Sequence, residues 1–335
     1  MLVLLSKQFS EREGMSVLDK DVELIARDIE SMRIRGAGKI ARAAASALGI
    51  VARNSKATGK DEFVDEVLVA ARRLVATRPT AVSLPNSVRY IVKRLREGVK
   101  AGYSLDNLRN SLVEASDSFI KNLEEAVHLI GEYGSKMIEE GDTIMTHCNS
   151  SAALEIIKSA SKKGKSIRVY ATETRPLYQG YITTQILNRE GIDVSLICDS
   201  AVRFFMGKMD KVVVGADAIA ANGAVINKIG TSLVALAAKE ATIPFIVGAE
   251  TIKFSPETIV GGLIEIEERP WSEVISAEIL ANIGGVRVRN PAFDITPPAY
   301  VDMIVTENGV IPPQGAVQIL EDNYGWISSE ELFAF

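Results

Sequence analysis

The sequence predicts an α/β protein in which a helical region precedes an open, mostly parallel sheet with flanking helices. Two observations carry this prediction. Up to Gly134, apolar residues recur at spacings of three and four, which is typical of amphipathic helices. Beyond it, short runs rich in Val and Ile alternate with helical segments, as expected for parallel strands joined by crossover helices. We therefore predict a helical N-terminal domain at residues 1–134, with 1–15 as a tail, and an α/β domain at residues 135–335.

Five helices are predicted in the first domain, and glycine and proline mark the breaks between them. Gly36 and Gly38 separate the first two helices, Pro79 interrupts the chain after the third, and Gly102 ends the fourth. The predicted ranges are 18–32, 38–54, 60–76, 83–101 and 104–132.

Six strands and four helices are predicted in the second domain. The strands are expected at 143–147, 167–171, 194–198, 211–214, 245–247 and 303–305, and the helices at 151–163, 180–189, 202–206 and 232–239. The carboxyl ends of parallel strands meet at one edge of the sheet, where ligands bind in such folds. The polar corners after these strands are therefore the candidate functional residues.

The composition excludes several classes of protein. Hydrophobic residues make up 47% of the 335 residues and charged residues 24%, which are ordinary globular values. A net charge of −5 argues against a general nucleic-acid binder. Two cysteines make neither a disulfide framework nor a zinc motif, and the first apolar run is too short to span a membrane. We predict a cytoplasmic protein that contacts neither nucleic acid nor membrane.

Cys148 stands where the first predicted strand ends, directly before the polar residues Asn149 and Ser150. Small polar residues cap helices, and the positive end of a helix lowers the pKa of a nearby thiol. On local grounds, a reactive thiolate and an inert buried thiol are equally good interpretations of Cys148. The adjacent His147 points to the opposite face of the strand, so we interpret it as structural and predict no metal site.

Asp217 ends the run VVVGAD, and this apolar context is expected to raise the pKa of its carboxyl group by desolvation. Such a group could hold a proton near neutrality, provided that apolar contacts and not a cation dominate around it. The alternative is a turn or cap residue, which is the more common use of an aspartate there. Asp199 has less apolar flanks, and we interpret it as structural or as positioning a substrate.

Basic residues next to glycine or proline are candidates for binding a small anion. Arg35 is the clearest, because Gly36 and Gly38 let backbone amides approach phosphate oxygens while the guanidinium binds them in a bidentate manner. This glycine pair does not follow a strand, so it is not a dinucleotide fingerprint. Lys39 and Arg42 are interpreted equally well as solvated helix charges. The other basic candidates are Arg78, Arg175 and Lys228.

Six motifs in order resemble one superfamily. It groups the regulatory subunits of eukaryotic translation initiation factor 2B with two sugar-phosphate isomerases. The motifs are TRPT at 77–80, THCNS at 146–150, ETRP at 173–176, VGAD at 214–217, NKIGT at 227–231 and NPAFDITPP at 290–298. The resemblance extends from about Ile34 to the C-terminal region. It implies a Rossmann-like second domain and assembly into dimers or hexamers.

The resemblance also favours one branch of the superfamily. Its enzymes carry a cysteine and an aspartate at the positions of Cys148 and Asp217, whereas the initiation-factor subunits typically lack that cysteine. The segment RGAGKIAR is similar to the ribose-1,5-bisphosphate isomerases, while the methylthioribose-1-phosphate isomerases usually have proline in an RGAP-type segment. A methylthioribose-1-phosphate isomerase remains as an alternative, because the HCN motif is shared between the enzymes. A second alternative is a non-catalytic regulatory subunit that uses the same pocket to sense a nucleotide or a sugar phosphate.

What the resemblance implies is an aldose-ketose isomerase of nucleotide (AMP) salvage. Its substrate would be α-D-ribose 1,5-bisphosphate, and a cis-enol phosphate would follow acid-assisted ring opening. Cys148 and Asp217 would be catalytic, with no cofactor and no metal, and the implied partners are a second copy of the chain and AMP as an activator. The implied substrate-binding residues are Arg35, Gly36, Ala37, Gly38, Arg78, Arg175, Asn227 and Lys228.

Overall fold

The protein is represented by a computed structural model that describes residues 18–324. The predicted tail at 1–15 lies outside these residues, and so does the segment WISSEELFAF at 326–335, whose sequence predicts a peripheral helix or tail. Within them the prediction of an α/β fold with an N-terminal helical region is confirmed.

Within residues 18–134 the helical region contains five helices that match the predicted ranges to within two residues at each end. Its core includes Ile40, Leu48 and Phe63, all essentially inaccessible to solvent. Gly49 allows the second and fifth helices to approach closely, because a Cβ atom there would lie 2.6 Å from the hydroxyl oxygen of Ser116. The helices are α1 Lys20–Glu30, α2 Ala37–Asn54, α3 Lys60–Thr77, α4 Ser83–Lys100 and α5 Leu105–Gly134.

A seven-stranded sheet forms the centre of the second half, and each of the six predicted strands appears in it to within one residue. The strands are β1 Thr143–Thr146, β2 Arg168–Thr172, β3 Asp193–Ile197, β4 Lys211–Gly215, β5 Ala218–Ile219, β6 Val225–Lys228, β7 Phe245–Gly248, β8 Phe293–Thr296, β9 Met303–Thr306 and β10 Gly309–Ile311. The order in the large sheet is β10-β9-β7-β4-β1-β2-β3, and only β10 is antiparallel to its neighbour.

The direction of strand succession reverses between β1 and β4. From β1 the chain adds β2 and β3 on one side, and from β4 it adds β7 and β9 on the other. Such a switch point leaves a crevice at the carboxyl ends of the two central strands, which is where ligands bind in open α/β sheets. The crevice lies between the strands that lead to Cys148 and Asp217.

Residues 135–324 contain six helices, and four of them correspond to the predicted segments to within two residues. The remaining two were not predicted from the sequence. The six helices are α6 Ser151–Lys162, α7 Gln179–Arg189, α8 Val202–Met206, α9 Thr231–Ala241, α10 Ala277–Ile283 and α11 Ala316–Tyr324. No helix within residues 18–324 is long and apolar enough to cross a membrane.

A second, three-stranded antiparallel sheet was also not predicted. Its order is β5-β6-β8, and it pairs the NKIGT and NPAFDIT motifs with each other. The strands have only two to four residues, and the polar residues Asn227, Lys228 and Asp294 interrupt the apolar pattern by which strands are recognised in a sequence. Phe293, which the sequence places equally well in the core or in a subunit contact, packs against a small cluster around Ile226.

The helical region is attached to the sheet region through α5, which packs on α6. Gly131 makes this contact possible, since a Cβ atom there would lie 2.6 Å from Cγ of Glu155 and 2.8 Å from the hydroxyl oxygen of Ser159. A further link is the side-chain amide of Asn86, which donates to the carbonyl oxygen of Phe254 at 2.9 Å. The domain boundary after residue 134 stays a prediction.

We expect Gly131→Ala to lower the free energy of unfolding by roughly 1–2 kcal/mol. Overpacking against α6 costs about 1–3 kcal/mol, which outweighs a gain of about 0.5–1 kcal/mol in helix propensity. Denaturant titration measures the difference. Gly207→Ala is the matched control, because Gly207 has a φ of −66° and no atom within 4 Å of a Cβ at that position. A Gly131→Ala protein at least as stable as the control would contradict the close contact.

Candidate active site

A cavity of about 470 Å³ opens at the switch point of the large sheet. Its walls come from the helical region, from the ends of β1 and β4, and from the small antiparallel sheet. Nine of the ten predicted site residues line it, namely Arg35, Gly36, Ala37, Gly38, Arg78, Cys148, Asp217, Asn227 and Lys228. The fold therefore brings together residues that lie up to 193 positions apart in the sequence.

Arg175 is the exception among the predicted residues, because it does not line the cavity. Its exposed guanidinium donates to the hydroxyl of Tyr178 at 2.6 Å and to the carbonyl oxygen of Val274 at 2.7 Å. The backbone N–H groups of Thr174 and Arg175 donate to the carboxylate of Asp199 at 2.8 and 2.7 Å. Asp199 thus has the structural role that was one of its two interpretations. Arg175 lies outside this cavity, and its role in substrate binding stays a prediction.

The corner that carries Cys148 has an unusual backbone conformation. Cys148 has a φ of +68°, in the left-handed region that costs free energy for residues other than glycine. Hydrogen bonds hold it on both sides: its N–H donates to the hydroxyl oxygen of Thr174 at 2.9 Å, and its carbonyl oxygen accepts from the hydroxyl of Thr183 at 2.7 Å. The thiol is therefore kept half-buried on the cavity wall.

Of the two local interpretations of Cys148, the electrostatics favour a buried thiol over one with a lowered pKa. Burial raises the pKa of the thiol to about 11, the positive charges of Lys228 and Arg269 act against this rise, and the negative charge of Asp217 adds to it. The positive end of α6 does not cancel this rise in the pKa of the thiol. The helix begins at Ser151, and one of its first N–H groups already donates to the hydroxyl oxygen of Ser150.

Asp217 follows the predicted direction. Burial raises the pKa of its carboxyl group and outweighs the opposing charges of Lys228, Lys253, Arg78 and Arg269. Desolvation therefore dominates as expected, although the surroundings contain more cations than the apolar sequence context indicated. No side chain among the described residues forms a hydrogen bond with this carboxyl group, so both of its oxygens are available to a ligand.

Lys228 and Asn227 enter the cavity from β6. The ammonium group of Lys228 donates to the carbonyl oxygen of Ala292 at 3.0 Å and lies 4.8 Å from the ring centre of Phe293. Burial lowers the pKa of this lysine. The side-chain amide of Asn227 donates to the hydroxyl oxygen of Thr231 at 3.0 Å. Both side chains are thus fixed before any ligand binds.

His147 is turned away from the cavity, as predicted. The side chain is buried, and burial lowers the pKa of its imidazole, which is therefore neutral. Nε2 lies 2.9 Å from the carbonyl oxygen of Ile229 and donates its proton there, because a carbonyl can only accept. Nδ1 then accepts from the hydroxyl of Thr172 at 2.6 Å.

Several polar residues of the cavity were missed as site residues. Lys253 lies in the segment after β7, and a polar residue after a strand is the sequence signal that identified the other candidates. Its ammonium group forms a buried ion pair of 2.6 Å with Glu250. Gln179 contributes a buried side-chain oxygen without a hydrogen-bond partner in the described part of the chain. Arg269 comes from a long loop that carries no sequence signal of its own.

The arrangement suits acid-base chemistry on a small anion. A carboxyl group with a raised pKa and a thiol face one cavity whose other charged side chains are mainly cationic. Within residues 18–324 no group of three or more His, Cys, Asp and Glu side chains could hold a metal ion.

Comparisons with known proteins show which family the sequence and the fold resemble. The model of the initiation factor 2 subunit family matches residues 33–313. The ribose 1,5-bisphosphate isomerase of Thermococcus kodakarensis is 52% identical over 92% of this chain and 96% of that protein. A methylthioribose-1-phosphate isomerase of Pelotomaculum thermopropionicum is 41% identical over 86% of this chain and 82% of its own length. The solved structure of translation initiation factor eIF-2B from Pyrococcus horikoshii is 34% identical with a TM-score of 0.76, covering 90% of this chain and all of that one.

We expect the alkylation of Cys148 by iodoacetamide to rise with pH to a midpoint near 11, since only the thiolate reacts and burial raises its pKa. A Cys198→Ser background leaves Cys148 as the single thiol. Asp217→Asn should move the midpoint down, because the charge of Asp217 raises the pKa of this thiol. The ordinary value for a free thiol is about 8.5. A midpoint at or below this value in the substrate-free protein would disprove the burial effect.

Proposed function

The chain belongs to the initiation factor 2 subunit family, and on this basis we propose that it isomerises α-D-ribose 1,5-bisphosphate to D-ribulose 1,5-bisphosphate. The observation that carries the proposal is 52% identity to a ribose 1,5-bisphosphate isomerase over nearly the whole of both chains. The geometry supports it, because a thiol and a carboxyl group with a raised pKa meet in a cationic cavity.

Asp217 acts as the general acid in the first step. A phosphate ester on C1 prevents spontaneous opening of the sugar, so cleavage of the bond between C1 and the ring oxygen needs a proton donor. Burial raises the pKa of Asp217, which favours the protonated form that can donate to the ring oxygen. The open form then has an electron-poor C1, and the hydrogen on C2 becomes acidic.

Cys148 acts as the base that moves the C2 hydrogen to C1. Its thiolate takes the proton from C2 to give the cis-enol phosphate and returns it to C1. The proton of the C2 hydroxyl passes to the carboxylate of Asp217, which restores the acid and leaves a ketone at C2. A thiolate whose pKa is about 11 is scarce at neutral pH but strongly basic. Protonation of Asp217 removes a charge that opposes its formation.

The start of α2 provides the proposed phosphate cradle. Gly36 has a φ of +91°, which glycine adopts without strain, and it precedes the first turn of the helix, where unpaired N–H groups favour anions. Arg35, Lys39 and Arg42 add positive charge along this wall. A second phosphate fits these charges, whereas the methylthio group of the alternative substrate needs an apolar pocket.

The cellular setting is part of the proposal. We place the reaction in AMP salvage in the cytoplasm, with AMP as an activator and with self-association into a dimer or hexamer. The net charge of −5 supports a small-molecule substrate over nucleic acid.

Incubation of the purified protein with each sugar phosphate, followed by ¹³C NMR, tests the reaction. A new C2 ketone from ribose 1,5-bisphosphate supports the proposal. Ketone from methylthioribose 1-phosphate alone would replace it with the alternative isomerase, and turnover of neither sugar would indicate a non-catalytic regulatory subunit.

We expect Cys148→Ser to lower kcat by about a hundred- to ten-thousand-fold, the usual contribution of one acid-base group. Substrate affinity measured by calorimetry should change little, because the cations of the cavity remain. Cys198→Ser is the matched control, since Cys198 is exposed and does not line the cavity. Near-normal turnover by Cys148→Ser would exclude the proposed base.

We expect Lys39→Met to raise KM for ribose 1,5-bisphosphate by about tenfold or more, since a hydrogen bond to a charged group is worth about 1.5–3 kcal/mol. Lys60→Met is the control, because Lys60 also lies in the first turn of a helix but not in the cavity. Steady-state kinetics of both variants distinguishes a phosphate contact at Lys39 from the solvated helix charge of the alternative interpretation. Equal KM values in the two variants would support the interpretation of Lys39 as a solvated helix charge.

A further inference from the structure

We infer that Asp294 is a positioning residue for the proposed reaction. Its carboxylate holds the turn from β6 into α9 in the conformation that presents Asn227 and Lys228 to the cavity. The inference rests on the proposed function for its kinetic readout, but its structural basis is independent of the substrate. Asp294 itself does not line the cavity.

The carboxylate of Asp294 binds backbone N–H groups on both sides of the turn. It accepts from the N–H of Gly230 at 2.8 Å and from the N–H of Ser232 at 3.1 Å. These two bonds span Thr231, the first residue of α9. A single side chain therefore fixes the point at which the chain leaves β6 and enters the helix.

The strand that carries Asp294 also holds the residues of the cavity. In the register of the small sheet, Asp294 lies opposite Asn227, and Phe293 lies opposite Lys228. The carbonyl oxygen of Ala292 accepts both from the ammonium group of Lys228 at 3.0 Å and from the N–H of Ile229 at 3.1 Å. Displacement of the turn would thus shift Lys228 relative to its only hydrogen-bond acceptor in the described part of the chain.

His147, which follows the end of β1, contacts the same turn. Gly230 has a φ of +102°, and a Cβ atom there would lie 2.9 Å from the imidazole ring of His147. The imidazole also donates to the carbonyl oxygen of Ile229. Because His147 precedes Cys148, the turn connects the wall that carries Lys228 to the corner that carries the thiol.

The charge of the Asp294 carboxylate suits its function as an acceptor for backbone N–H groups. Burial raises the pKa of this carboxyl group to about 6, so it is ionised at neutral pH. Among the described residues no cationic side chain pairs with it, and its charge faces amide donors at the start of α9. Asparagine has the same shape but no charge, and its NH₂ group would face one of these donors.

Asp294→Asn tests the inference against Asp302→Asn as the control. The carboxylate of Asp302 also accepts a backbone N–H, that of Phe245 at 2.7 Å, but it lies at the amino end of β7, away from the cavity. Both changes should lower the thermal midpoint. Only Asp294→Asn should lower kcat/KM for ribose 1,5-bisphosphate, by about ten- to a hundred-fold, because small misplacements of a site residue cost up to about that much.

Amide hydrogen exchange gives a readout that does not depend on turnover. Protection of the Gly230 and Ser232 amides should fall in Asp294→Asn and stay unchanged in Asp302→Asn. If the wild-type protein makes no ribulose 1,5-bisphosphate, the proposed function fails and this exchange measurement still tests the inference. A kcat/KM within twofold of wild type, or unchanged protection at both amides, would overturn it.

Asp294→Ser is the second variant if the asparagine variant does not fold, since its short hydroxyl keeps one acceptor without adding volume. The serine variant should show the same loss of kcat/KM and of amide protection. If neither variant folds, Asp294 is required for the fold as a whole, and the inference is wrong.

Discussion

The close approach of two strand ends is the constraint on which the site depends. β4 ends at Gly215, and a Cβ atom there would lie 2.1 Å from the hydroxyl oxygen of Ser150. Only glycine therefore lets the corner after β1 lie against the end of β4. Since the strand order reverses between these two strands, the contact places Cys148 and Asp217 on one cavity at the point where an open α/β sheet has room for a ligand.

Burial and positive charge have opposing effects on the pKa values of the acidic groups in the cavity. Burial disfavours the charged forms of the thiol, the carboxyl group and Lys228, while the cations favour both anions. For Asp217 burial wins, which is what a general acid requires. For Cys148 burial also outweighs the cations, so the thiol of the proposed base has a high pKa. A small fraction of it is thiolate at neutral pH, but that thiolate is a strong base.

The helical region completes the site. Arg35 and the glycines beside it come from the start of α2, and Arg78 comes from the end of α3, so the sheet alone would leave the cavity open on the side of the proposed phosphate cradle. The buried ion pair of Glu250 and Lys253 stands close to this segment, with a carboxylate oxygen of Glu250 3.3 Å from where a Cβ of Gly38 would lie. Packing of α5 on α6 holds the helical region against the sheet region.

Sequence patterns were enough to predict six of the seven strands of the large sheet and four of the helices beside it, and they identified nine of the residues that line the cavity. Local patterns suffice there, because apolar periodicity and turn residues act over short distances. Other features became visible only in the folded protein, namely the small sheet, the position of Arg175 outside the cavity, the position of Arg269 in it and the raised pKa of the Cys148 thiol. Strand pairing and desolvation depend on residues distant in the chain, and no local pattern records how deeply folding buries a thiol.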